Sequence, residues 1–226
     1  MSRWMRPGAR LGLALLTLAL LIFCFAYWWL SNLAHEIADS VMLLALSRHV
    51  INNRFWWRQL RAGRWTAERA VTTALTLLVA LDVLVLLGTS LAISQSLLAA
   101  LPRPALFTLR EVHWFAAYWL IPLAALHLGL NAGRIGRLLR QVGMPATPWA
   151  LRLGLCVLLA LVALQGLASG GLLGLWPRLG FRYSLAMWDF NAAAWPFFLH
   201  WGAVIGLFSG IGLALASAIR RQARST

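Results

Sequence analysis

Four histidines are spaced as two matched pairs. His35 and His49 are 14 residues apart, His113 and His127 are also 14 apart, and the second pair follows the first by 78 residues. Each pair bounds a mostly apolar segment for which a helix is predicted. At 1.5 Å per residue, 14 residues make about four helical turns, so the two imidazoles of a pair project from nearly the same face, about 21 Å apart.

Two such helices side by side would set His35 level with His113, and His49 level with His127. Two facing imidazoles can hold both axial positions of one haem iron. One zinc or copper site made from all four is excluded by the separation of about 21 Å. Two separate two-histidine metal sites would lack further ligands, because no cysteine or carboxylate pair repeats beside the histidines. No Cys-x-x-Cys-His occurs, so the pattern predicts two non-covalent b-type haems, each bis-histidine and low-spin.

The composition is that of a membrane protein. The chain has 226 residues, of which 61% are hydrophobic and 12% charged, where a soluble domain has about 25% charged residues. The net charge of +14 comes from 20 basic residues, all arginine and mostly between apolar runs. Positive-inside flanking explains them better than nucleic-acid binding. The first apolar run is too long for a signal peptide, so we expect a retained span.

The predicted fold class is an all-α integral membrane protein with six transmembrane helices. The predicted spans are 10–32, 34–53, 70–95, 112–134, 149–170 and 195–219. Residues 1–135 would form a four-helix haem-binding core, and 136–226 would add two helices joined by an outer interfacial loop. That loop, residues 170–194, is apolar enough for a surface-lying amphipathic segment that caps the outer haem or meets a partner.

Arginine placement predicts the topology. Fifteen arginines fall in the two tails and in the second-to-third and fourth-to-fifth connections, against four on the opposite side, Arg103, Arg110, Arg178 and Arg182. This bias predicts that both termini lie in the cytoplasm. His35 and His113 then share the outer leaflet, and His49 and His127 the inner one.

Two segments carry a family resemblance. His35-Glu36 through His49 to Asn53, and His113-Trp114 through His127 to Asn131, resemble the haem-bearing helices of membrane-bound b-type cytochromes, above all small bacterial di-haem members. The likeness covers residues 10–135, about 60% of the chain. It implies a four-helix core whose second and fourth helices supply the haem ligands. No Pro-Glu-Trp-Tyr motif occurs, which argues against a bifurcating quinol oxidase.

Asn53 and Asn131 each follow an inner histidine by four residues. This places them one turn further along the same face. They would bind a haem propionate or fix a ligand imidazole, or else end their helices at the membrane interface. Both interpretations stay open.

The predicted function is electron transfer across the membrane through the two haems, between a quinone and a redox partner protein. No dinucleotide fingerprint or cysteine cluster occurs, so the chain would be an electron-transfer subunit of an oxidoreductase rather than a complete enzyme. One alternative is a haem-containing membrane anchor subunit of a larger respiratory or reductase complex. Another is a haem-free transporter, suggested by Asp39, Asp82 and the internal repeat.

Three further side chains are candidates for supporting roles. His200, in the sixth span, would replace an outer ligand, line a quinone pocket or bond to a neighbouring helix. Asp82, near the middle of the third span, would serve structure or relay protons, because a lone charge there is costly. Among the acids near the outer histidines, which are Asp39, Glu36 and Glu111, one could accept a hydrogen bond from a ligand imidazole.

Overall fold

A computed structural model of the chain describes residues 5–60, 65–98, 100, 107–145 and 148–225. Over these residues the secondary structure consists of ten α-helices and contains no strand. The helices are α1 (Pro7–Cys24), α2 (Tyr27–Leu30), α3 (Asn32–Asn52), α4 (Arg54–Gln59), α5 (Ala67–Ile93), α6 (Phe107–Leu130), α7 (Ala132–Gln141), α8 (Trp149–Leu172), α9 (Leu175–Leu179) and α10 (Trp195–Ser225). The predicted all-α class is confirmed for this part of the chain.

Five of these helices contain stretches long and apolar enough to cross a membrane. They are α1, α5, α6, Gly154–Leu172 of α8 and Trp195–Ala223 of α10. Large apolar side chains such as Leu84 and Leu164 are more than half exposed along them, as expected where lipid replaces water as the solvent. The chain is therefore a multi-pass membrane protein.

The predicted span at 34–53 forms the expected helix, α3, but α3 is not among those five. It is more polar than the others, because it carries Glu36, Asp39 and Arg48 besides its two histidines. Its crossing of the membrane stays a prediction. The first predicted span is interrupted: α1 ends at Cys24, and the backbone N–H groups of Phe25 and Ala26 close a turn before α2.

The chain divides into two compact units. The first contains α1 to α4, residues 94–98 and most of α7, and the second contains α5, α6, α8, α9 and α10. In the first unit α1 packs against α3, and Ser31 caps α3 by accepting a hydrogen bond from Ala34 N–H at 3.1 Å. In the second unit α10 packs along both α6 and α8. The predicted boundary near residue 135 stays a prediction.

Glycines bring α10 close to its two neighbours in the second unit. A Cβ added to Gly212 of α10 would lie 2.5 Å from the carbonyl oxygen of Leu126 on α6. A Cβ added to Gly166 of α8 would lie 2.5 Å from the carbonyl oxygen of Ala203 on α10. Lipid gives helices no hydrophobic drive to associate, so close backbone packing at small residues supplies much of the attraction.

The loop between α8 and α10 folds around Arg178. This guanidinium is 4% exposed. It donates to the carbonyl of Leu173 at 2.6 Å and to those of Ser184 and Ala186 at 3.0 Å. It also lies over the rings of two α6 residues, Trp114 at 5.1 Å and Tyr118 at 4.6 Å. A buried cation thus ties the loop to α6.

Residues 182–189 of this loop have no regular secondary structure. Exposure alternates along it, with Tyr183, Leu185 and Met187 exposed and the intervening residues less so. Three large side chains therefore face outward, and the predicted surface-lying amphipathic segment stays a prediction.

Candidate functional site

The two α6 histidines are each held by a threonine of α5. Thr89 Oγ1 lies 3.0 Å from Nδ1 of His113, and Thr76 Oγ1 lies 3.3 Å from Nδ1 of His127. The helices are packed neighbours, and the two threonines meet histidines four turns apart. The same contact is therefore made twice.

The hydroxyl protons decide the direction of these hydrogen bonds. Thr76 already donates to the carbonyl of Thr72 at 2.7 Å, and Thr89 donates to those of Val85 and Leu86 at 2.8 and 3.0 Å. A hydroxyl has one proton to give, so with that proton on the carbonyl each threonine oxygen is left to accept from the imidazole Nδ1–H. Both rings then carry their proton on Nδ1, and Nε2 keeps the lone pair that a metal ion needs.

His35 is oriented in the same way by a backbone carbonyl. Its Nδ1 lies 3.0 Å from the carbonyl oxygen of Cys24, the last residue of α1. The final carbonyls of a helix have no partner within it. Since a carbonyl only accepts, His35 also carries its proton on Nδ1. The edge of the Tyr27 ring packs against the imidazole, with 5.9 Å between ring centres.

His49 and His127 are each followed by an asparagine that caps the helix end. Asn53 Nδ2 donates to the carbonyl of His49 at 2.8 Å, and Asn131 Nδ2 donates to that of His127 at 2.8 Å. Their backbone N–H groups donate to the same carbonyls at 3.1 and 3.2 Å. Asn131 Nδ2 also lies 3.5 Å from Nε2 of His127. The repeated asparagine therefore ends its helix, and Asn131 additionally approaches the ring.

The four predicted ligands are divided between the units. His35 and His49 belong to the first, and His113 and His127 to the second. The pairing of His35 with His113, and of His49 with His127, is based on the 78-residue register and stays a prediction. Among the described residues no group of three or more His, Cys, Asp or Glu side chains is gathered as for a metal ion.

His200 makes a contact between α8 and α10. Its Nδ1 lies 2.8 Å from Oγ of Ser169, whose oxygen is 3.4 Å from Nε2 of Gln165. The Trp188 ring packs on the imidazole at 5.3 Å. This is the geometry of the third predicted role, a hydrogen bond to a neighbouring helix. Among the described residues no carbonyl accepts the Ser169 hydroxyl proton, so the His200 tautomer is not set as in α6.

Glu36 holds a loop instead of an imidazole. Its carboxylate accepts from the backbone N–H groups of Gln95, Ser96 and Leu97 at 2.7 to 3.2 Å. The Ser94 hydroxyl donates to it at 2.8 Å and the Asn32 amide at 2.6 Å. It thereby fastens the chain beyond α5 to the start of α3.

Sequence reasoning did not identify Thr76, Thr89 or the burial of Arg178. The threonines had a usable signal, because they are 13 residues apart in an apolar helix, close to the 14-residue spacing of the histidines. No sequence signal marks Arg178 as buried, since the sequence does not distinguish it from an arginine that flanks a span.

The arrangement is suited to holding a metal-centred group through Nε2 at three described histidines. The chain matches no family model, no curated protein and no solved structure.

Proposed function

We propose that this chain binds two b-type haems and carries electrons across a membrane. His35 and His113 would be the axial ligands of the outer haem, and His49 and His127 those of the inner haem. One observation carries the proposal: the hydroxyl oxygens of Thr89 and Thr76 each lie within hydrogen-bond distance of Nδ1 of an α6 histidine, at 3.0 and 3.3 Å.

This observation bears directly on haem ligation. An imidazole that binds a metal almost always donates its other N–H to a protein acceptor, which fixes the ring and raises its basicity. His113, His127 and His35 all meet this condition, through two hydroxyls and a backbone carbonyl. A histidine that only packs against its neighbours needs no particular tautomer. An oxygen acceptor beside Nδ1 at three predicted ligand positions therefore favours ligation through Nε2.

Bound haem would supply one-electron chemistry at its iron. The protein would supply the rest. Its histidines fix two positions about 21 Å apart along the helix axis, its apolar helices exclude water, and its threonines hold the imidazoles in orientation. Asn53 and Asn131 would end the two ligand helices at equivalent positions.

The proposal includes a six-span topology. α3 would be the sixth span, with α1, α3, α5 and α6 as the haem core and α8 and α10 as the additional helices. The fifteen-to-four arginine bias supports cytoplasmic termini in a bacterial inner membrane. Electrons would pass between a quinone and a redox partner protein. The matched 14-residue spacing of the two histidine pairs supports a di-haem arrangement over a transporter.

Haem stoichiometry and ligand pairing test the proposal together. Purified protein should contain two haems per chain by pyridine haemochrome and show a low-spin b-type reduced-minus-oxidised spectrum. His35→Ala and His113→Ala should remove one and the same haem. His49→Ala and His127→Ala should remove the other.

The double variant H35A/H113A is the sharpest measurement, because it should lose no more haem than either single variant. His200→Ala is the matched control and should retain both haems. Well-folded protein with less than half a haem per chain would refute the proposal. Loss of different haems in H35A and H113A would refute the pairing.

A further inference from the structure

Asp82 lies on α5 between the two threonines that hold the α6 histidines. Thr76 is six residues before it and Thr89 seven after it, about 9 and 10 Å along the helix axis. A seven-residue separation returns to nearly the same face, so Asp82 shares the face from which Thr89 contacts His113. Its Oδ2 is buried and has no hydrogen-bond partner among the described residues.

Among the described residues of the second unit, no basic side chain forms an ion pair with this carboxyl. α5 carries two other charged residues, Glu68 and Arg69, both at its N-terminal end. There Glu68 pairs with Arg220 at 2.7 Å. On α6 the titratable side chains between the two histidines are limited to Tyr118, and α10 has none between His200 and Arg220. A buried carboxylate without a counter-charge is costly, so a nearby change of charge acts strongly on it.

We propose that Asp82 is a proton-binding site coupled to electron uptake by the two haems that the four histidines would hold, an inference that rests on the proposed function. When one electron arrives from the reductant, a quinol in the cell, the Asp82 carboxylate takes one proton from water and becomes a carboxylic acid. One O–H bond forms, and the interior gains no net charge. Oxidation by the redox partner reverses the step and returns the proton.

The size of the effect of Asp82 on the reduction equilibria follows from its distance along α5 to the two threonines. A unit charge about 10 Å away across an effective dielectric of ~20 changes an equilibrium by on the order of tenfold. Along the α5 axis Asp82 is nearly equidistant from Thr76 and Thr89, so the haems held at His113 and at His127 should both be affected. Ionised Asp82 favours the oxidised, more positive state and lowers both midpoint potentials, whereas neutral Asp82 does not.

Replacement of Asp82 by Asn tests the direction in which Asp82 shifts the midpoint potentials. In the wild-type protein both midpoint potentials should fall as pH rises through the titration of Asp82. In Asp82→Asn the reduction equilibria should depend less on pH. At alkaline pH the reduction equilibrium constants of D82N should exceed those of the wild type by on the order of tenfold. At acidic pH the constants of the two proteins should be equal. Asp189→Asn is the control, because Asp189 is an exposed carboxylate of the same unit.

Infrared difference spectroscopy gives a direct readout. Reduced-minus-oxidised spectra of the full-length protein, taken with chemical mediators in H2O and D2O, should contain a deuterium-sensitive band from a protonated carboxyl. The band should be lost in D82N and retained in D189N. If D82N does not fold, Asp82→Glu serves instead, and the band should change position.

Each outcome is decisive. A wild-type spectrum without such a band would overturn the inference, as would a band unchanged in D82N or D82E. Protein that holds no haem would instead overturn the proposed function. Haem-loaded protein whose midpoint potentials depend equally on pH in wild type and D82N would overturn the role of Asp82 alone.

Discussion

Thr89 Oγ1 lies 3.0 Å from Nδ1 of His113 while donating its own proton to the carbonyls of Val85 and Leu86. The hydroxyl is thus an acceptor toward the histidine. Thr76 repeats the relationship with His127. The α5 helix therefore acts as a support for α6, and this support can be removed one threonine at a time.

Thr89→Val should weaken binding of the outer haem by about 10- to 100-fold, because loss of a ligand's supporting hydrogen bond has effects of this size. Thr76→Val should weaken binding of the inner haem alone. The measurement is haem titration of the apoprotein, followed by absorbance. Thr89→Ser should restore binding. Thr72→Val is the control, since Thr72 bonds to Glu68 in the same way and has no described bond to a histidine. Equal loss in all variants would contradict the prediction.

Gly212→Ala should destabilise the protein by about 1–3 kcal/mol, because the new methyl group would overlap the backbone of Leu126 and push α10 from α6. Gly210→Ala lies two residues away, meets no atom within 4 Å, and should be neutral or stabilising by up to ~1 kcal/mol. Thermal unfolding in detergent compares the two. Similar unfolding midpoints for the two variants would mean that α6 and α10 do not pack closely at Gly212.

Arg178→Met should lower stability by about 3 kcal/mol, since the carbonyls of Leu173, Ser184 and Ala186 lose a charged donor. We expect faster proteolysis within residues 182–188, followed by mass spectrometry. Arg182→Met provides the control, because Arg182 is exposed. If both variants are cut at the wild-type rate, Arg178 does not hold the loop.

Glu36→Ala should release the segment after α5. The amides of Gln95, Ser96 and Leu97 donate to this carboxylate, and charge-assisted hydrogen bonds contribute about 1.5–3 kcal/mol each. Their hydrogen exchange should accelerate at least about tenfold. Glu111→Ala should leave these amides unchanged. Exchange that is no faster in E36A would show that other contacts hold the segment.

The sequence alone determined the features that depend on helical periodicity. Apolar runs located the helices, the 14-residue interval placed two histidines on one face of each, and the i+4 asparagines took up the helix-capping position that was one of their two predicted roles. All of these depend on residues within a few turns of one another. The break after Cys24 was missed, because neither proline nor glycine marks it.

Only the tertiary structure decided which side chains meet between helices. Thr76 and His127 are 51 residues apart in the chain, and Glu36 and Gln95 are 59 apart. Contacts of this kind depend on the angle and register at which helices pack. In lipid these are set by small residues such as Gly212 rather than by an apolar face. Since every face of such a helix is apolar, hydrophobic pattern does not reveal which face finds a partner, and polar side chains acquire their roles from the packing.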